Sequence, residues 1–227
     1  MAKYLNIDLI FKDRTNAGIL LSEKLLNNKL EINLVIALPR GGVTVAKPIA
    51  EKLNAALDII VSKKIGAPNN PELAIGAVTS HGDYVIAPYA EAFHEIPAYG
   101  DKKWDYIQKQ IVYLINDCKE RERKYLSEKS SLQRHSYKDQ NIILVDDGTA
   151  TGMTALAAIK SIKKQKPKSI ILAIPVISSQ AYDEINSLID KIETLKVPRE
   201  FTAVGIHYKN FDAVSDEEII EILRNLK

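Results

Sequence analysis

Four short runs of almost unbroken apolar residues limit what this chain can fold into. They cover residues 33–38, 57–61, 141–145 and 169–174. A strand apolar on both faces is buried on both faces, and such strands separated by helical stretches mark a parallel sheet covered by helices. Helical spacing occurs over 15–27, 43–53 and 102–125 and again after Gly152. It returns from Ser215 onward, where Glu218 completes a capping box and Ile219, Ile222, Leu223 and Leu226 face inward. A fifth strand is predicted over 191–195. Residues 74–78 and 84–86 read as a hairpin turning at His81-Gly82-Asp83, and the polar stretch 126–140 reads as a loop. The expectation is an α/β protein with one domain over 1–227: a core of about 30–195 and a small hood from about 1–15 and 196–227.

Composition removes several classes. The net charge is +2, so no strong field for nucleic acid or membrane is implied. A single cysteine, Cys118, excludes an intramolecular disulfide and a cysteine-cage zinc site, and suits a reducing compartment. No apolar run approaches the roughly 20 residues that span a bilayer, and residues 1–8 hold no apolar segment of a signal peptide. A cytoplasmic protein is expected. On the long helix Trp104, Ile107, Ile111, Leu114, Ile115 and Cys118 recur at helical spacing, and the charge run 119–124 reads as its solvated end.

Chemistry concentrates where the third apolar run ends. Asp146 and Asp147 close the strand; Gly148, Thr149, Ala150, Thr151 and Gly152 form a loop of small and hydroxyl residues; Met153 and Thr154 open a helix. Open α/β sheets bind ligands just outside the carboxyl ends of their strands. A helix N-terminus offers unpaired N–H groups and a positive dipole end to an anion. The loop therefore suits a phosphate monoester. Two carboxylates beside a phosphate would repel it unless they face another part of the same ligand, such as vicinal hydroxyls with a divalent cation nearby. A ribose 5-phosphate unit has that polarity.

A second segment shares the plan. Pro39, Arg40, Gly41 and Gly42 also end a buried strand and open a helix. The glycines free the backbone to cradle an anion, and Arg40 can meet a phosphate with two hydrogen bonds. Alone, the segment reads equally well as a tight turn with an exposed arginine. A ligand with a phosphate at one end and a pyrophosphate at the other would fill both loops.

With these residues the chain resembles the type I phosphoribosyltransferases. The signature is the apolar strand, Asp146-Asp147, then Gly148 to Gly152 and Thr154, with Arg40-Gly41-Gly42 similar to the family's pyrophosphate loop. Phe11-Lys12-Asp13-Arg14 with Ala17-Gly18, Lys64 to Pro68, Asn70 to Val78, and Phe201 to Gly205 resemble a less-studied branch of that family. The resemblance implies the fold: a central parallel sheet flanked by helices, with a hood from the chain ends. It also implies transfer of a 5-phosphoribosyl group from 5-phosphoribosyl-1-pyrophosphate (PRPP), with Mg²⁺ and release of pyrophosphate.

The implied roles fall on particular residues. Asp146 and Asp147 hold the ribose hydroxyls, and with them the Mg²⁺ that arrives mainly on the pyrophosphate. Gly148, Thr149, Ala150, Thr151, Gly152 and Thr154 wrap the 5-phosphate. Pro39, Arg40, Gly41 and Gly42 bind pyrophosphate, with a cis peptide between Pro39 and Arg40. Lys63 and Lys64 end a strand, and Lys64 is the one expected to reach the pyrophosphate. Residues 67–72 form a turn-rich loop that could close over substrate, or a static one, with Glu72 a candidate acid or base. Arg14, His207, Tyr208 and Phe211, with Phe11, are the hood candidates for the acceptor, since aromatic faces can stack on a base. For Phe211 a small core under the last helix fits equally well, and His207 reads also as polar surface. His81, His94 and His135 show no partner pattern. A homodimer is expected from the family.

One departure narrows the acceptor. The hypoxanthine-guanine branch carries an Asp where this chain has Ala150, so those two bases are disfavoured. A non-catalytic PRPP- or nucleotide-binding regulator on the same fold is the alternative. No helix-turn-helix or basic segment accompanies the fold here. An aspartyl-nucleophile phosphohydrolase needs an Asp where Val145 stands, and no P-loop pattern exists.

Overall fold

The computed structural model describes residues 9–27, 31–68, 70–92, 102–127 and 135–225. The apolar runs become a five-stranded parallel sheet. Its strands are β1 (Leu34–Ala37), β2 (Ala56–Ile59), β6 (Asn141–Val145), β7 (Ser169–Val176) and β8 (Lys191–Lys196), in the order β2-β1-β6-β7-β8. Every pair is parallel, and Ala37 sits opposite Val145. β1, β6 and β7 are buried along nearly their whole length, which is why their sequences show no polar alternation.

Helices α1 (Arg14–Leu26) and α2 (Gly41–Leu53) pack on each other and on this sheet. α1 starts where the Asp13 carboxylate accepts from the Asn16 N–H at 2.8 Å. α2 stops at Asn54, a residue with φ 51°. Helix α5 (Met153–Lys164) follows β6, and α6 (Ser179–Asn186) follows β7.

A second sheet, antiparallel and three-stranded, has the order β3-β4-β5. It contains β3 (Ser62–Ala67), β4 (Asn70–Thr79) and β5 (Tyr84–Ile86); the short α3 (Pro88–Ala92) follows it. The β4–β5 hairpin turns at the expected residues. β3 corrects the sequence reading: Lys63 and Lys64 lie within a strand rather than at the end of one. Of the expected loop, Ala67 belongs to β3 and Asn70, Pro71 and Glu72 to β4, with Ala67 opposite Asn70; Asn69 lies outside the described residues. An edge strand that opens Ser-Lys-Lys carries little apolar signal of its own, and the pairing that makes it a strand comes from β4.

α4 (Lys102–Leu126) packs on β3, β4 and the last helix, α7 (Asp216–Asn225). It buries Ile107, Ile111, Cys118 and Tyr125. Burial pushes the Cys118 thiol up to about 12. The side chain of Trp104, residues 128–134 of the expected loop, and Leu226 lie outside the described residues. Tyr137, at the end of that polar stretch, is buried in the core.

The two sheets are tied by buried polar groups. Thr79 and Ser161 share a hydroxyl–hydroxyl bond of 2.9 Å; Ser161 also donates to Asp83 at 2.9 Å, and Lys164 pairs with the same carboxylate. Ser80 donates to the buried Glu122 of α4, near which His81 stands, stacked on Tyr137. The chain ends meet as well: Phe11 N–H donates to His207 O at 2.9 Å and Lys209 N–H to Phe11 O at 2.8 Å. Phe11, Ala17, Val176 and Tyr208 form a small core there. No described helix is long and apolar enough to cross a membrane.

Candidate active site

The sheet order places the site. From β1 the chain runs through α2 to β2 on one side; from β6 it runs through α5 to β7 on the other. A crevice therefore opens between the carboxyl ends of β1 and β6, where chain direction diverges and ligands of such sheets lodge. The two segments singled out in the sequence are the walls of that crevice.

On the β1 wall, the Pro39–Arg40 peptide is cis and Gly41 opens α2. A Cβ on Gly41 would stand 1.9 Å from Asp147 Oδ2, and one on Gly42 would stand 2.8 Å from Val145 O. Only glycine lets the two walls come this close. The Arg40 side chain is 45% exposed and reaches toward Asp216 of α7, Nη1 to Oδ1 at 3.7 Å. Asp216 also accepts from Lys124 and Tyr125, each at 2.8 Å.

On the β6 wall, the Asp147 N–H donates to Asp146 Oδ1 at 2.9 Å, and Asp147 Oδ2 accepts from Arg14 Nε at 2.7 Å. Burial, and then the neighbouring Asp147 charge, holds the Asp146 carboxyl well above the usual carboxylate range. Burial raises Asp147 too, opposed by the hydrogen bond and charge of Arg14. Thr149 Oγ1 accepts from the Gly152 N–H at 3.0 Å and closes the loop on itself. Gly152 turns the chain into α5 at φ 72°, a conformation that favours glycine. The N–H groups of Met153 and Thr154 then open a helix with no carbonyl four residues back within it. The Thr151 hydroxyl is buried and finds no hydrogen-bond partner among the described residues. A loop with an unpartnered buried hydroxyl over a helix N-terminus can take an anion.

β3 sorts the two lysines, because successive side chains on a strand point to opposite faces. Lys63 pairs with Asp117 of α4 at 2.6 Å, whereas Lys64 is exposed and its charge acts on Asp146. The backbone of Glu72 lies on β4; its side chain is outside the described residues.

The hood candidates separate. Phe11 is fully buried against Tyr208, with ring centroids 5.1 Å apart, so it has no free face for a base. Tyr208 is buried also, and its hydroxyl donates to Asp147 O at 2.5 Å. His207 is buried, its Nε2 without a partner among the described residues. Burial, and then the nearby Lys196, lowers its pKa. Phe211 keeps an exposed edge, 36% accessible, and its ring lies under the Arg14 guanidinium at 3.8 Å.

Ser178 supports the loop between β6 and α5, and sequence reasoning missed it. Its hydroxyl donates to Ala150 O at 2.5 Å and accepts from the Ala181 N–H at 3.0 Å, so one side chain caps α6 and holds the loop from behind. The available signal was a serine three residues ahead of Ala181 at the start of a helical pattern.

The family model for the phosphoribosyl transferase domain matches residues 13–209. The chain belongs to the phosphoribosyl transferase family. It is 31% identical over 214 residues to two Mycobacterium tuberculosis proteins, each named a "putative phosphoribosyl transferase". Those matches cover 94% of this chain but 46% of each relative, so the chain spans about half their length. The crystal structure of TT1426 from Thermus thermophilus superposes with a TM-score of 0.78 at 35% identity, over 96% of this chain and 99% of that one. The expected fold, a parallel sheet flanked by helices, is thus the observed one.

Proposed function

We propose that this phosphoribosyl transferase domain moves a 5-phosphoribosyl group from PRPP to a nitrogen acceptor and releases pyrophosphate. One observation carries the reading: the acidic pair and phosphate loop of β6 face the Arg40-Gly41-Gly42 turn of β1 across the crevice where the sheet diverges.

In this reading the β6 loop and the N-terminus of α5 take the 5-phosphate, with the Thr151 hydroxyl as one donor. Asp146 and Asp147 accept from the ribose hydroxyls. Arg40 and the Gly41 and Gly42 backbone take the pyrophosphate, and Lys64 adds charge from β3. The bond from C1 to the pyrophosphate oxygen breaks with its electron pair going to pyrophosphate; the acceptor nitrogen forms the new bond to C1 and loses its proton. Cationic groups on the pyrophosphate side stabilise the departing charge. Ala150 supplies no carboxylate to a purine ring nitrogen, which disfavours hypoxanthine and guanine. Glu72 is the acid/base candidate.

The residues fit Mg²⁺, an ion that keeps several waters and uses one or two carboxylates with substrate phosphates. Asp146 is a half-buried carboxylate beside a second one. With Asp147 it would hold the ion next to the ribose. When bound, Mg²⁺ neutralises charge on the pyrophosphate. The reading takes the whole chain as one domain with a hood from its ends, and a homodimer in solution.

The test is calorimetric titration of Mg·PRPP into the wild type and into Asp146→Asn/Asp147→Asn. The expected result is binding by the wild type that the double variant loses. A panel of bases with pyrophosphate detection follows. Binding without pyrophosphate release on any acceptor would favour a regulator, a reading to which the engagement of Arg40 by Asp216 also lends support. Absence of wild-type binding would remove PRPP as the ligand.

A further inference from the structure

We infer that Arg14 is a positioning residue: together with Phe211 and Tyr208 it holds the Asp147 carboxylate in place for the ribose. The inference rests on the reading of Asp147 as a group that accepts from ribose hydroxyls.

Four contacts make a closed ring. Arg14 Nε donates to Asp147 Oδ2 at 2.7 Å. The Arg14 guanidinium lies over Phe211, 3.8 Å from its centroid. Phe211 packs against Tyr208 with centroids 5.0 Å apart. The Tyr208 hydroxyl donates back to Asp147 O at 2.5 Å. Asp147 is thereby gripped at its carboxylate and at its backbone carbonyl. A further bond, Arg14 Nη1 to Asp212 O at 2.8 Å, fixes the far side of the guanidinium. Gly41 bounds the carboxylate from the opposite wall, where any Cβ would collide with Oδ2.

This arrangement uses most of what Arg14 has. Two of its nitrogens and one face are taken, and the side chain is 11% accessible. Little is left for an acceptor, the role that the hood position suggests. What Arg14 fixes is Asp147 itself: Oδ2 carries the ion pair, and the carboxylate also lies against its own N–H and the Asp146 carboxyl. An aspartate pinned at one oxygen presents the other in one orientation, and such pre-organisation is what ligand-binding carboxylates require. Lysine could not replace Arg14, since it lacks the planar fork and the stacking face.

The experiment compares wild type, Arg14→Met, Arg14→Lys and Phe211→Leu by calorimetric titration with three probes: Mg·PRPP, inorganic phosphate and Mg·pyrophosphate. Arg14→Met is expected to weaken Mg·PRPP by roughly tenfold or more, the scale of one charge-assisted hydrogen bond. The two probes without ribose keep their wild-type affinities. Arg14→Lys recovers at most part of the loss. Should Arg14→Met fail to fold, Phe211→Leu tests the same point through a smaller loss confined to Mg·PRPP. Unchanged Mg·PRPP affinity in the folded variants overturns the inference, as does equal weakening of all three probes. A wild type that binds no Mg·PRPP overturns the functional reading itself, and the inference with it.

Discussion

Asp146 illustrates how a proposed ligand site costs stability. Its carboxylate is half-buried beside a second carboxylate, and both burial and that neighbour disfavour its charge. Asp146→Asn keeps the shape and removes the charge. We expect the ligand-free variant to melt a few degrees higher than wild type at neutral pH while losing Mg·PRPP binding; scanning calorimetry with and without ligand reads both. A variant that melts lower would show that the carboxylate supports the fold. His207 makes a pH-dependent prediction. Its folded pKa lies below its ordinary value of 6.5, because it is buried and then because Lys196 is near. The unfolded chain therefore binds a proton that the folded chain refuses. Stability from this group is full above the ordinary value and is lost as pH falls below it. Urea unfolding from about pH 8 to about pH 5 should show a shallower loss in His207→Gln than in wild type.

At the scale of elements, the turn into α2 and the loop before α5 work as a pair. Gly41→Ala forces Asp147 Oδ2 aside, since the new Cβ would stand 1.9 Å from it. The expected outcome is a folded protein with Mg·PRPP affinity down by roughly tenfold; circular dichroism and titration separate the two effects. Ser178→Ala removes a helix cap, a loss of about 1 kcal/mol, and also releases Ala150 O. These elements differ in how far the sequence revealed them. β6 and its loop were legible because an apolar run, two acids and small residues follow one another without interruption. β3 was not, because Ser62, Lys63 and Lys64 look like surface and the pairing that makes them a strand comes from β4. α6 was missed because it is short and buries only Ala181 and Ile185. The acids were readable from their neighbours; their holders were not. Arg14 lies 133 positions from Asp147 and Tyr208 lies 61 from it, and no local pattern connects them.

Over the whole molecule, two sheets of different type must act as one body. The antiparallel sheet carries Lys64 toward the crevice, and it is joined to α5 through Thr79, Ser161 and Asp83. Ser161→Ala leaves a buried threonine hydroxyl and a carboxylate each short of a partner. Such losses cost about 1–3 kcal/mol. Urea unfolding should register that cost, and hydrogen exchange should rise across β4 and β5 before it rises in β1 and β6. Uniform acceleration in both sheets would count against a separable antiparallel unit. The burial of Cys118 beneath α4 adds a practical consequence. Thiolate is the species that reacts, and this sulfhydryl is both wholly covered and held protonated up to about 12. A labelling reagent can reach it only while α4 lifts from the antiparallel sheet. The chain has a single cysteine, so the rate of modification in native buffer is a clock for that one opening, readable by mass without adding a probe to the protein.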